Sequence, residues 1–258
     1  MSVFLPLVDP PGPPDGPALV LSVRDRDVSV GEGEAPEAGL FVGTLDGRHC
    51  WAVEVGPDDP GDPDAFFVDL RRLWGMVEDD VWTLAGRSVQ LVDWARTHRY
   101  CGRCGTPTEV APGERAKRCP DCGLLAFPRL APAVIVLIER EDGCALLARN
   151  VRFPGNMYSC LAGFVEPGET LDEAVRREVK EEVGVELGEV SYWGSQPWPF
   201  PHSLMLGFLA RYSSGEIVCA PAEIADARWF SREELPAIPP GISIARRLID
   251  DWMGRGPL

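Results

Sequence analysis

Residues 163–185 read GFVEPGETLDEAVRREVKEEVGV, and the rest of the chain is organised around them. Thr170 followed three residues later by Glu173 forms a capping box, which starts a helix near Leu171. Leu171, Val175, Val179 and Val183 recur every four residues and mark a buried stripe. At about 100° per residue, Glu178 and Glu182 project within roughly 20° of Leu171, with Glu181 on one flank. Lys180, Arg176 and Arg177 point elsewhere. Like charges one helical turn apart repel, so this crowding asks for a counter-charge. A hard cation such as Mg²⁺ supplies it, because it takes carboxylate oxygens together with substrate phosphates. A charge run is most often a solvated helix face. Here the glutamates border the apolar stripe and glycines flank both ends, which favours the cation.

The 258 residues suit one large or two modest domains, and 45% apolar and 25% charged residues are ordinary for a globular chain. The longest apolar runs, such as APAVIVLI at 131–138, are too short to span a bilayer. The opening, MSVFLPLVDPPGPPDGPALV, lacks a basic segment and is broken by prolines, so no signal peptide and a cytoplasmic location are expected. The formal net charge of −15 argues against broad coating of nucleic acid, which phosphate contacts drive. It leaves room for one nucleotide at a metal site.

Residues 99–123 read RYCGRCGTPTEVAPGERAKRCPDCG. Two CxxCG knuckles, Cys101/Cys104 and Cys119/Cys122, suit tetrahedral Zn²⁺, and a closed shell of four cysteines is structural. Disulfides are the alternative, with nothing pointing to an oxidising compartment. The metal then stands in for a core that so short a segment lacks. Cys50, Cys144, Cys160 and Cys219 read as small hydrophobes in a reducing compartment. From Arg96 to Arg129 there are seven Lys/Arg against three Asp/Glu. That basic patch fits a phosphate chain and fits a solvated surface equally.

Residues 1–95 suggest an α+β domain. Proline- and glycine-rich loops at 10–17 and 56–64 separate strand-like runs at 41–42 and 51–55, and 66–94 carries helical apolar spacing in two segments. Residues 96–126 hold the cysteine array. Residues 127–258 carry apolar strands at 133–138, 144–148, 190–193, 204–212 and 226–230, and an amphipathic helix over 242–253. Strands around two helices imply a mixed sheet between helices.

A second stretch, SQPWPFPHSL at 195–204, alternates three prolines with Trp198 and Phe200. It reads as a stiff loop that presents aromatic faces to a flat heterocycle, with Gln196 and Ser203 able to bond ribose or amide groups. It reads equally as a proline-rich turn tucking two aromatics into the core.

Gly163, Glu169, Arg177, Glu178, Glu181, Glu182 and Gly184 stand at the spacing G-x5-E-x7-R-E-x2-E-E-x-G. This resembles the Nudix box at every position, and so implies metal-assisted cleavage of diphosphate-linked nucleosides and an α/β/α sandwich. SQPWPFPHS, together with a four-cysteine zinc ribbon before the box and an N-terminal domain before that, is similar to the NADH pyrophosphatases of this family. The resemblance implies catalytic Mg²⁺ or Mn²⁺ on Glu178, Glu182, Glu223 and the main-chain carbonyl of Ala162, with Glu181 binding metal or activating water. Glu181 or Glu223 would act as general base, and Arg177 would orient Glu169 or another box carboxylate. It implies a dinucleotide site of Gln196, Pro197, Trp198, Pro199, Phe200, Pro201, His202 and Ser203, with Phe164 and Ala245 nearby. Arg72, Glu114 and Phe127 match further substrate positions; relatives often carry tyrosine where Phe127 stands. The reaction implied is hydrolysis of NAD(H) to NMN(H) and AMP by a homodimer. One alternative applies the same chemistry to an NAD-capped RNA 5′ end, with the basic ribbon as RNA track. Another is a non-enzymatic nucleotide sensor, against which the intact box argues.

Overall fold

A computed structural model of the chain describes residues 3–56, 65–153 and 155–256. The loop expected at 56–64 falls, after residue 56, outside the described residues. Two compact units are present: residues 1–129 with 199–202, and residues 130–198 with 203–258.

The first unit opens with β1 (Phe4–Leu5), β2 (Ala18–Arg24), β3 (Asp27–Gly33), β4 (Leu40–Leu45), β5 (Arg48–Glu54) and β6 (Val68–Asp69). They form a sheet of order β1-β4-β5-β2-β3-β6, antiparallel except for β2 beside β5. The helical spacing of 66–94 resolves into α1 (Leu70–Leu73) and α2 (Asp79–Thr97). α2 packs on β2, β4 and β5, and Leu84, Ala85, Val89 and Val92 of the helix are buried, as are Leu21, Val42 and Ala52 of the strands. A small antiparallel sheet follows, of β7 (Glu109–Val110), β8 (Lys117–Arg118) and β9 (Leu125–Ala126), and it carries the cysteine knuckles.

The second unit holds β10 (Ala131–Glu139), β11 (Ala145–Asn150), β12 (Leu161–Phe164), α3 (Leu171–Val183), β13 (Glu186–Trp198), β14 (Ser203–Ser214), β15 (Ile224–Phe230) and α4 (Ile244–Gly254). The sheet order is β13-β14-β10-β11-β15, with β12 also on β10. β10 and β14 run parallel and the other pairs antiparallel, so the sheet is mixed. Val134, Val136 and Ile138 face α3 through Ala174, Val175, Val179 and Val183. Ile135 and Leu137 face α4 through Ala245, Leu248, Ile249 and Trp252. The alternation of β10 thus serves two cores, which makes the unit an α/β/α sandwich. At the far end of β10, the side chain of Glu139 is 1% exposed and takes Arg232 at 3.1 Å and Arg255 at 3.0 Å.

Two expectations change. Leu171 is 37% exposed, so the stripe of α3 begins at Ala174 and Val175. The helix projects its first turn beyond the sheet. Ser195–Trp198 is not loop: it completes β13, and only residues 199–202 turn, joining Trp198 to Ser203 across a hairpin. Pro197 is tolerated because β13 is an edge strand, where a missing N–H costs no ladder bond on its outer side. Among the described residues no helix is long and apolar enough to cross a membrane.

Candidate active site

α3 is built to hold carboxylates in place. Thr170 and Glu173 make the reciprocal capping box, and Gly184 ends the helix with φ 77°, a left-handed conformation that favours glycine. Between them Glu182 is turned inward, 5% exposed, with Oε2 buried and without a hydrogen-bond partner. Burial first, and then the charges of Glu178 and Glu223, push its carboxyl up to about 8. A hydrogen bond with the backbone of Ala162 opposes this. Glu178 is also raised by burial, with Arg177 pulling the other way. Glu178, Glu223 and the main chain of Ala162 thus all act on the Glu182 carboxyl.

Strand β12 lies beside Glu178. A side chain at Gly163 would put its Cβ 1.8 Å from the carboxyl carbon of Glu178, so only glycine lets that carboxylate lie on the strand. Arg177 bonds several box carboxylates at once. It forks Glu169 at 2.7 and 2.9 Å, but its Nη1 also donates to Glu178 at 2.9 Å and Glu181 at 3.0 Å, and Nη2 to the carbonyl of Phe164. Its guanidinium therefore reaches the carboxylate face instead of pointing away. The same fork holds Glu169 down to about 2. Glu181 is the outermost carboxylate, its side chain 61% exposed.

An orphaned buried oxygen, crowded carboxylates and a strand cut back to glycine fit a divalent cation. Among the described residues, the four ribbon cysteines are the one group of three or more potential ligands whose donor atoms all lie within 4.8 Å of each other. The glutamates stay further apart, as repelling charges do, with Arg177 drawing Glu178 aside.

The cysteine sulfurs give a sharper test. Cys101–Cys122 and Cys104–Cys119 stand 3.5 Å apart, and Cys104–Cys122 3.7 Å. Four sulfurs about 2.3 Å from a tetrahedral zinc stand about 3.8 Å apart, whereas a disulfide needs about 2.05 Å. All eight cysteines are free thiols. The backbone N–H groups of Arg103 and Cys122 point at Cys101 and Cys119 sulfurs, which favours thiolates. Cys50 and Cys160 are buried as expected, while Cys144 and Cys219 are half-buried.

The remaining site residues divide between the units. Phe164, Gln196, Pro197, Trp198, Ser203 and Ala245 belong to the second. Phe164 is 57% exposed on the strand that carries Gly163, whereas Ser203 and Ala245 are buried. Gln196 is buried too, and each end of its amide makes one bond within the protein. Pro199, Phe200, Pro201 and His202 group with the first unit, as do Arg72, Glu114 and Phe127. There the guanidinium of Arg71 lies 3.9 Å over the ring of Phe200, so that face is not open to a heterocycle. Pro199 packs where Gly86 has no side chain. Arg71 escaped the sequence reading, which settled on its neighbour Arg72; no spacing marks a stacking arginine.

Comparison with known proteins follows the same division. The NUDIX domain model matches residues 129–252, the NADH pyrophosphatase zinc ribbon domain 96–127, and the NADH pyrophosphatase-like rudimentary NUDIX domain 8–94. An NAD-capped RNA hydrolase NudC of Deinococcus radiodurans is 46% identical over 252 residues, 93% of this chain and 89% of that one. The chain belongs to the NADH pyrophosphatase branch of the Nudix hydrolases. A second NAD-capped RNA hydrolase NudC, from Stutzerimonas stutzeri, is 49% identical over 220 residues, covering 85% of this chain and 78% of that one. A NUDIX hydrolase from Nitrosomonas europaea shares the fold, with TM-score 0.52 and 22% identity over 60% of this chain and 90% of its own. For this Nudix hydrolase, the α/β/α sandwich, the four-cysteine ribbon and the preceding α+β sheet are the family's parts in the family's order.

Proposed function

We propose that the protein hydrolyses the pyrophosphate bond of NAD(H), giving NMN(H) and AMP, and that it does the same to the NAD cap of an RNA 5′ end, leaving a 5′-monophosphate. The observation that carries the chemistry is the buried, unpartnered carboxylate oxygen of Glu182 on the same helix as Glu178, whose carboxylate lies on the glycine strand. The curated names of the relatives support the substrate. Glu178, Glu182, Glu223 and the carbonyl of Ala162 would hold Mg²⁺ or Mn²⁺, which polarises the phosphates and lowers the pKa of a bound water. Arg177 holds Glu169 and Glu178 in register. Glu181, exposed at the mouth, takes the proton of the attacking water in this reading, with Glu223 the other candidate. Phe164 offers an exposed aromatic ring one residue beyond Gly163, and Trp198, Ser203 and Ala245 complete the dinucleotide set of the second unit; in the first unit, Arg72, Glu114 and Phe127 are further substrate contacts in this reading. The four cysteines would hold a structural Zn²⁺.

We place the domain borders at 95/96 and 126/127. The setting in this reading is reducing and cytoplasmic, where the four ribbon cysteines stay available to a metal. Exposed Tyr100 and Leu125 on the ribbon support a homodimer. The experiment is product analysis on NADH and on NAD-capped RNA side by side, with Mg²⁺ and with Mn²⁺, at two salt concentrations. Release of NMNH and AMP from one and NMN from the other is the expected result. A protein that binds NAD(H) and releases neither product would be a sensor.

A further inference from the structure

Gln196 sits on the edge strand β13, 4% exposed. Its Nε2 donates to the carbonyl of Ile242 at 2.8 Å, and its Oε1 accepts the N–H of Ile244 at 2.6 Å. Ile244 is the first residue of α4, and its N–H is one of the donors a helix start leaves without an internal partner. Ser243 caps the same turn by accepting the N–H of Arg246 at 3.3 Å. Gln196 is thus a second cap, reached from a strand 46 and 48 residues earlier in the chain.

The sheet register says where this tie acts. Gln196 lies opposite Met205, Met205 opposite Ala133, and Ala133 opposite Phe164. Directly paired residues share a face, and Met205 packs in the α4 core, so the row lies on the α4 side. It runs from exposed Phe164, beside the carboxylate strand, over small Ala133, to Gln196 and the tip of α4. Gly207, on β14, lets the helix come close, since a Cβ there would lie 3.0 Å from Cδ1 of Ile244. Apolar contact seats the tip; the paired hydrogen bonds of Gln196 fix its height and rotation.

We infer that Gln196 is a positioning residue: it pins the first turn of α4 at one end of the Phe164–Ala133–Met205–Gln196 row, and so sets where that turn stands against the substrate's base. The inference rests on the dinucleotide activity proposed above.

The test uses Gln196→Leu and Gln196→Met in the full chain. Both remove the two bonds. The second keeps the length and volume of the side chain, and carries the test should the leucine variant not fold. For either variant the expected result is a KM for NADH raised by about tenfold with kcat within about threefold. Mn²⁺ affinity by EPR titration stays at the wild-type value, and the Ile244 amide loses hydrogen-exchange protection. An unchanged KM overturns the inference. So does a fall in kcat that tracks lost thermal stability at constant KM, which is the mark of a plain brace. A raised KM with Ile244 still protected overturns it in favour of direct substrate contact. Wild-type protein that leaves NADH intact removes the activity reading itself, and this inference with it.

Discussion

The carboxyl carbon of Glu178 lies 1.8 Å from the point where a Cβ on Gly163 would stand. No rotation of the alanine methyl relieves such a contact, because Cβ is fixed by the backbone. Gly163→Ala is therefore expected to expel Glu178 from the strand while β12 and α3 stay folded. Mn²⁺ titration should show affinity lost by at least about tenfold, and kcat/KM should fall by about a hundredfold or more, as expected when a metal ligand is misplaced. Wild-type metal affinity in the alanine variant would remove the cradle from the mechanism.

Arg177 makes five hydrogen bonds to three carboxylates and one carbonyl. Lysine keeps the charge and loses the fork. Arg177→Lys should then cost about ten- to a hundredfold in kcat with KM for NADH little changed, since Glu178 and Glu181 lose alignment and not charge balance. Equal activity in the lysine variant would mean that only the positive charge is needed.

Glu182 predicts an unusual pH dependence. Its folded carboxyl is raised to about 8, above the ordinary carboxylate value, so the folded chain holds a proton that the unfolded chain has released. The contribution is fully present below the unfolded value, near 4.3, and fades as pH rises towards 8. In EDTA, the melting temperature should fall between pH 5 and pH 8 by more in the wild type than in Glu182→Gln, which does not titrate. Saturating Mg²⁺ should cancel most of the difference. Parallel pH profiles for the two proteins in EDTA would contradict the burial of that carboxylate.

Zinc should be separable from the catalytic cation. Cys119 is buried and its sulfur serves two neighbours. Cys119→Ser should lower bound zinc from one per chain towards none by atomic absorption and expose 96–126 to limited proteolysis, because a site of this kind supplies the folding energy of its segment. EDTA at short exposure should abolish hydrolysis reversibly while zinc stays bound. Joint loss of both would merge the two sites.

The box helix was legible because its cues are short-range: a cap, a four-residue apolar repeat and a closing glycine. Leu171 was misplaced because periodicity says which face is apolar and not where the sheet beneath it ends. The ribbon was legible from thiol spacing alone. The bonds of Gln196 were not legible, for the opposite reason. Its partners are backbone groups of Ile242 and Ile244, and main-chain donors and acceptors leave no trace in side-chain pattern. Nor was the cation over Phe200 legible, since Arg71 comes from a distant stretch. Ser195–Trp198 looked like loop because prolines usually interrupt strands, and the sequence does not mark β13 as an edge.

Glu139 bears on how the chain is made. Its two arginines lie 93 and 116 residues later, and a buried carboxylate stripped of partners is strongly destabilising, by about 3–5 kcal/mol. A ribosome that has delivered all of β10 to β15 has still not delivered Arg255. The catalytic unit is thus expected to remain open to protease on the ribosome until α4 has left the exit tunnel, then to close in one late step. Arrest-peptide measurements on nascent chains of increasing length would register that step, and gradual gain of force from β14 onward would speak against it. Translation, on this view, delivers the last lock only after every cutting residue is already in place.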